Sequence, residues 1–130
     1  MQRIAMVALM ALSTTALAGA DWAPEVTVYT YKYHHKWYSF ADGSLAGAAA
    51  SADGNQWIGC STYRYVADGA DFHYGFCSAV DADYNSTGCF TEDPAMIEII
   101  ASTNSTSQLN FSAIDGECTS VYVAQSSGTL

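Results

Sequence analysis

CSTYRYVADGADFHYGFC, residues 60–77, is the stretch that decides the fold of this chain. At its centre lies Asp68-Gly69, a dipeptide typical of a two-residue hairpin turn, because both central residues of a type I′ turn need positive φ. The residues on either side are rich in Tyr, Phe, Val and Thr, as β-strands are. The stretch therefore predicts an antiparallel hairpin with strands at 56–66 and 71–80.

The same turn determines which residues of the hairpin face each other. A two-residue loop places Cys60 directly opposite Cys77, in a pair without hydrogen bonds, where the Cα atoms come to about 4.5 Å. A disulfide tolerates that separation, and closing such a loop would stabilise the fold by about 3 kcal/mol. The register favours Cys60–Cys77 with Cys89–Cys118. The main alternative is Cys77–Cys89 across the next turn, which leaves Cys60–Cys118.

One face of the predicted hairpin is aromatic, and the other carries the two cysteines. The aromatic row comprises Trp57, Tyr63, Tyr65, Phe72, Tyr74 and Phe76. If the cysteine side faces the core, this row is exposed and can stack on sugar rings or on the apolar patch of a partner. We expect the opposite arrangement, in which the row is core and meets an aromatic ladder of a first strand, 25–38, across a sandwich.

The binding hypothesis that follows from an exposed row assigns ligand contacts on both aromatic strands. Its candidate residues are Trp57, Tyr63, Tyr65, Phe72, Tyr74, Tyr31, Tyr33 and Trp37. Tyr29 and His35 share the predicted face of the first strand with the last three, because side chains alternate along a strand.

The remaining segments predict a small β-rich domain with one helix. Asp93 is a good N-cap and Pro94 suits the first helical position, which predicts a short helix near 94–102. Asp115-Gly116 predicts a second tight hairpin. Its register places a core face on Leu109, Phe111, Ala113, Cys118 and Tyr122. The other predicted elements are strands at 88–91, 108–114 and 117–124, and a loop at 41–54 with one helical turn at 46–50.

We therefore predict an all-β or β-rich α+β fold, a small antiparallel sandwich or meander cross-linked by disulfides. The four cysteines follow an N-terminal segment with the three parts of a secretory signal peptide, at 1–20: a basic start, an apolar run and small residues. Cleavage is expected after Ala18 or Ala20, leaving one domain at 21–130. The apolar run is about half the length that spans a membrane. This predicts a secreted or periplasmic protein, exported by the bacterial-type general secretory route.

Charge excludes two kinds of partner. The chain has 13 Asp and Glu against 4 Lys and Arg, a formal net charge of −9. Nucleic acids and anionic membranes would be repelled by that field.

One segment resembles a calcium-binding loop in its spacing. Asp81, Asp83, Asn85 and Glu92 fall at positions one, three, five and twelve of a loop, which suits Ca²⁺. Ser86 replaces the glycine of the sharp turn, however, and the flanking residues favour strands instead of helices. No other cofactor is expected. A transition metal held by His34 and His35 is disfavoured, because neighbours in a strand point to opposite faces.

The chain carries no motif typical of catalysis, neither Gly-x-Ser-x-Gly, nor His-Glu-x-x-His, nor a glycine-rich phosphate loop. We therefore expect a non-enzymatic binding module for a protein or glycan partner. The alternatives are a structural or envelope-associated protein without a small ligand and, less favoured, a Ca²⁺-binding domain. The partner and the oligomeric state are open at this point.

Overall fold

A computed structural model describes residues 25–125 of the protein. The predicted signal peptide at 1–20 and its cleavage positions lie outside the described residues.

Seven strands and two short helices follow one another in the described part of the chain. In chain order they are β1 Val26–Tyr33, β2 Lys36–Ser44, α1 Leu45–Ala49, β3 Trp57–Ala67, β4 Ala70–Val80, β5 Ser86–Thr91, α2 Pro94–Ala101, β6 Ser107–Ile114 and β7 Glu117–Gln125. The strands form one mixed sheet in the order β1-β2-β6-β7-β5-β4-β3. The predicted β-rich fold with one short helix near 94–102 is confirmed.

The sheet is nearly divided in two where β5 meets β7. These strands share a single parallel pair, Phe90 with Glu117, and the N–H of Phe90 donates to the carbonyl of Gly116 at 2.8 Å. All other neighbouring strands are antiparallel. The sheet folds over at this junction, so that β1 and β2 lie against strands of the β5-β4-β3 group. The result is a sandwich of a four-stranded and a three-stranded layer.

Small and aliphatic side chains fill the space between the layers. The core consists of Val26, Ala41, Ala48, Ile58, Cys77, Ala79, Cys89, Ile100, Leu109, Phe111, Ala113 and Val121. Burial alternates residue by residue along β6, as expected for a strand with one face on the core. Ala, Cys and aliphatic side chains make up most of this core, and Phe111 is its one ring.

The predicted register and connectivity of the cysteines are confirmed. Cys60 pairs with Cys77 across β3 and β4, and the disulfide between them joins Cα atoms 4.0 Å apart. The second disulfide joins Cys89 to Cys118. Cys77 also stands opposite Cys89 in the pairing of β4 with β5, but these two cysteines are not bonded to each other.

The predicted single strand at 25–38 is wrong, because the chain reverses at His34-His35. Both histidines have positive φ, 49° and 66°, and they form a two-residue turn between β1 and β2. The turn is supported by Trp37, whose N–H donates to Oδ1 of Asp115 at 2.8 Å. The reversal moves Trp37 to the face opposite Tyr33. The argument that His34 and His35 cannot share a metal ion, which assumed neighbours in a strand, therefore no longer applies, because the two histidines lie in a turn.

The last hairpin departs from its predicted faces after Cys118. Its turn is as predicted, with Ile114 opposite Glu117, but a register shift separates the pairs Ser112/Ser120 and Ala113/Cys118. This bulge lets both Cys118 and Val121 face the core, which the period of two forbids in a regular strand. Tyr122, predicted as core, is therefore on the outside and 61% exposed.

The eight-residue helix α2 covers one end of the core. The side chain of Asp93 accepts the N–H groups of Ala95 and Met96, which caps the helix as predicted. Its buried residues include Ile100, and a Cβ added to Gly75 of β4 would come within 2.6 Å of Cδ1 of Ile100. The helix therefore lies directly on the backbone of β4.

Substituting Gly75→Ala should lower the free energy of unfolding by about 1–3 kcal/mol, the usual cost of overpacking a core. Ile100→Val removes the Cδ1 atom that the new methyl group would meet, and by itself costs about 0.5–1.5 kcal/mol. In urea unfolding, the double variant should be more stable than the sum of the single effects predicts. Simple additivity would show that the helix does not pack on Gly75.

Replacing His35→Gly should raise the free energy of unfolding by about 1 kcal/mol, because glycine adopts positive φ without the cost that an L side chain has there. His73→Gly is the matched control, since His73 lies in the extended strand β4 and should lose stability. Thermal unfolding followed by circular dichroism measures both. Destabilisation by His35→Gly would argue against the turn.

Candidate functional site

The inward position of Cys60 and Cys77 turns the aromatic row of the hairpin outward. We call its residues, together with one ring from β5, the aromatic face: Trp57, Tyr63, Tyr65, Phe72, Tyr74, Phe76 and Phe90. Six of the seven are exposed, with Tyr65 at 63% and Phe72 at 58%, and Tyr74 is half-buried between its neighbours. The expectation that this row forms the core is wrong. The binding hypothesis, which needs an exposed row, remains open.

The rings of the aromatic face form a continuous surface across three strands. Tyr63 and Tyr74 stack with their centroids 5.2 Å apart and an interplanar angle of 18°. The ring of Tyr74 lies 5.1 Å from that of Phe90 on the next strand. Phe76 is directly paired with Phe90, and Tyr65 with Phe72. Cross-strand aromatic contacts of this kind hold the rings in place without burying them.

Two glycines let rings lie down on the sheet. A Cβ added to Gly59 would come within 2.9 Å of Cζ2 of Trp57, and one added to Gly88 within 3.2 Å of Cζ of Phe76. Both rings therefore cover the glycine backbone. The indole of Trp57 is further oriented by its Nε1–H, which donates to the hydroxyl of Ser78 at 2.9 Å. The face is consequently shallow, with ring surfaces presented to solvent.

The aromatic face carries no charge. The outward positions of β3, β4 and β5 are occupied by aromatic residues, Gly, Ala, Ser and Val. The one ion pair of this hairpin, Arg64 with Asp71 at 2.9 Å, lies on the cysteine side near the turn. The hydrogen bond from Arg64 lowers the pKa of the Asp71 carboxyl. An acidic protein thus presents three neighbouring strands without charge on their outward side, bordered at Phe90 by Glu117 of β7.

The ladder of the first predicted strand lies on the other layer of the sandwich. Tyr29, Tyr31 and Tyr33 are exposed on the outside of β1, and Tyr31 stacks on Tyr38 of β2 at 5.1 Å with an interplanar angle of 5°. Trp37 is separated from them and has Lys32 5.8 Å from its ring centroid. The predicted binding residues therefore form two surfaces, of which the aromatic face is the denser.

The candidate calcium ligands do not form one ligand set. Oδ1 of Asp81 accepts the N–H groups of Asp83 and Asn85, and its Oδ2 accepts the Asn85 amide at 3.0 Å. The carboxylate is thus occupied in closing its own turn. Glu92 follows β5, at the opposite end of that strand, so the strand separates it from Asp81.

Glu92 instead lines a cavity of about 310 Å³ with Phe90, Thr91, Glu117 and Cys118. Within residues 25–125 no group of three or more His, Cys, Asp or Glu side chains is placed to hold a metal ion.

A larger cavity, which the sequence did not suggest, lies beside β3. It measures about 510 Å³, and its lining is mostly apolar: Leu45, Ala46, Ala48 and Ala49 of α1, the run Trp57 to Ser61 of β3, and Gln56, Ser105 and Thr106. We call it the edge groove. It depends on how α1 packs against β3, a tertiary contact that no local pattern signals.

Comparisons with known proteins give no family for this chain. No protein-family model, no curated protein and no solved structure matches it. No helix between residues 25 and 125 is both long and apolar enough to cross a membrane. The two disulfides are typical of a protein that resides outside the reducing cytoplasm.

Trp57 should be accessible in the folded protein, since it is 56% exposed. In a variant with Trp22→Phe and Trp37→Phe, acrylamide should quench its fluorescence nearly as strongly before unfolding in urea as after. A variant that keeps only Trp37, which is 55% exposed, is the matched control. Strong shielding of Trp57 but not of Trp37 would show that the aromatic face is covered in solution.

Proposed function

We propose that this protein is an exported, non-catalytic binding module whose aromatic face binds an uncharged polysaccharide. The observation that carries the proposal is a cluster of seven rings, six of them exposed, on three strands whose outward positions carry no charged side chain. Contiguous exposed apolar surface is uncommon on proteins that act alone and is typical of interaction sites.

The lack of charge favours a neutral ligand. Acidic residues are numerous in the chain, so an anionic ligand would meet a repulsive field on its approach. A cationic ligand would need carboxylates at the contact, and the outward positions of β3, β4 and β5 offer none.

The shape and chemistry of the face favour a glycan over a folded protein. The rings of Trp57 and Phe76 lie down on the sheet, so that the face offers ring surfaces instead of a pocket for a side chain. Sugar rings have apolar C–H faces that can stack on such surfaces. Their hydroxyl groups can hydrogen-bond to the phenols of Tyr63 and Tyr65, because a tyrosine has an apolar body and a polar end.

Export is supported by two independent features. The segment at 1–20 has the composition of a secretory signal peptide, and both disulfides require an oxidising compartment. An extracellular or periplasmic location would bring the aromatic face into contact with cell-envelope or environmental polysaccharides.

Depletion of the protein from solution by insoluble cellulose or chitin, both neutral, tests the proposal. Trp57→Ala and Tyr63→Ala should each weaken retention about two- to tenfold, the effect expected from losing one stacked ring. Tyr122→Ala and Tyr84→Ala are matched controls, since both rings are exposed but lie outside the aromatic face. Retention should persist in high salt, because no ion pair contributes to it.

Absence of retention on every neutral polysaccharide would overturn the proposed ligand. Capture of a protein partner that is lost in the same two variants would then assign the face to a protein. Failure to find either would favour the alternative of a structural or envelope-associated protein. A Ca²⁺-dependent increase in thermal stability would favour the third alternative.

A further inference from the structure

The strand β3 is an open edge of the sheet. It has 11 residues, and β4 is its one strand neighbour among the described residues. An edge strand of this length presents a row of N–H and C=O groups that another strand can pair with. Proteins commonly protect such an edge with proline, bulges or several charges. Within β3 the register is regular throughout, proline is absent, and Arg64 is its one charged residue.

The pairing with β4 shows which backbone groups are open. In a hairpin with a two-residue turn the closing pair, here Ala67 and Ala70, is hydrogen-bonded, and every second pair is not. The residues of the pairs without hydrogen bonds direct their N–H and C=O groups away from β4. In β3 these residues are Ile58, Cys60, Thr62, Arg64 and Val66.

The edge groove lies along this open row. Five consecutive residues of β3, Trp57 to Ser61, line it. Side chains alternate between faces, so a cavity lined by consecutive residues must open on the edge of the strand, where the backbone is accessible. Helix α1 forms the far wall of the groove with Leu45 and alanines. The groove therefore offers both backbone hydrogen bonds and an apolar surface.

We propose that the edge groove binds the β3 strand of a second copy of this chain, giving a two-fold symmetric dimer with one continuous sheet. The register that matches the open backbone groups of two antiparallel β3 strands is centred on Thr62, where Thr62 of each copy faces Thr62 of the other. This register makes Ile58 face Val66 of the second copy. All the open backbone groups of one edge then meet those of the other.

Self-complementarity supports a second copy as the occupant. Val66 is the most exposed of the large aliphatic residues in the described chain, at 66%, and lies on the same side of β3 as Ile58, which is 3% exposed beside the groove. In the proposed register each Val66 enters the groove of the other copy and contacts its apolar lining. Each copy thus supplies both the groove and the side chain that fills it, as an isologous interface requires.

Charge also favours pairing at this edge. The chain is strongly acidic, so two copies repel each other over most of their surfaces. The strand β3 contains no acidic residue between Trp57 and Ala67, and Arg64 is neutralised by Asp71 of its own copy. The edge is therefore among the surfaces where two copies can approach with the least repulsion.

The dimer would enlarge the aromatic face. Strands joined edge to edge keep their outward sides on the same surface of the sheet. In the proposed register Gly59 faces Tyr65 of the second copy and Ser61 faces Tyr63. Two aromatic faces would then form one surface of twice the width, and a long ligand could contact both copies at once, which increases its apparent affinity.

Sedimentation equilibrium of the full mature chain over a wide range of concentration tests the proposal, with a dimer mass as the expected result. Thr62→Pro removes an N–H donor at the symmetry axis, and Val66→Asp places a charge in the apolar groove. Each should raise the dimer dissociation constant at least about tenfold, equivalent to roughly 1.4 kcal/mol. Thr30→Pro and Thr30→Asp are matched controls, because Thr30 occupies the equivalent open position on β1, the other edge.

Circular dichroism and mapping of both disulfides establish that each variant is folded. A monomer mass at every concentration up to the solubility limit would overturn the proposal. Dissociation of the dimer by the Thr30 variants would also overturn the proposal, because it would assign the contact to β1. Open-ended oligomers would overturn it as well, because pairing of β3 with β3 alone closes at two copies. Polysaccharide retention is measured separately, so a monomer that still binds cellulose refutes the dimer alone, and a dimer that binds no glycan refutes the proposed function alone.

Discussion

The cross-strand disulfide between Cys60 and Cys77 is the constraint on which the other features depend. It occupies a pair without hydrogen bonds, the position where two opposed residues come closest. Both sulfur atoms lie on one side of the hairpin, and Cys77 is fully buried. Because side chains in a strand alternate strictly, the tyrosines and phenylalanines between the cysteines must face the other way, and so must Trp57 just before Cys60. One covalent bond thereby determines which side of β3 and β4 is core.

The small size of many inward-facing residues agrees with the cysteine side of β3 and β4 being the core side. The positions that face across the sandwich include Ala41, Ala79 and Ala113, all nearly or fully buried. The core cluster holds one ring, Phe111, and is otherwise made of smaller side chains. Burying the aromatic face would require a wider separation and would leave cavities around the small residues, which cost free energy. The rings of the aromatic face lie outside, on the side of β3 and β4 opposite the buried alanines and cysteines.

Sequence patterns predicted the parts of this structure that have strong local signals. Asp68-Gly69 gave the register of β3 and β4, and Asp93-Pro94 gave the start of α2. The turn at His34-His35 was missed because histidine is not a typical turn residue, and the flanking run of β-formers resembles one long strand. The exposed position of the aromatic face could not be decided locally, because it depends on what lies across the sandwich.

Local sequence patterns could not predict the bulge in β7 or the edge groove, because both depend on contacts between segments that are distant in the chain. A bulge is needed because Cys118 and Val121 both face the core although they are an odd number of residues apart. That requirement is visible only when the disulfide partner of Cys118 is known. The groove likewise depends on the tertiary packing of α1 against β3.

The distribution of charge connects the two proposed surfaces. Asp68 and Asp115 sit in tight turns with positive φ, Asp93 caps a helix and Asp81 closes a turn, so much of the acidic charge lies between the strands and has a local structural role. The strands of the three-stranded layer are left nearly free of it. Charge at the periphery keeps copies apart in most orientations, while the aromatic face and the β3 edge stay available for neutral contacts. Binding through rings and pairing through backbone groups are then compatible, since the rings point out of the sheet and the open backbone groups lie in its plane.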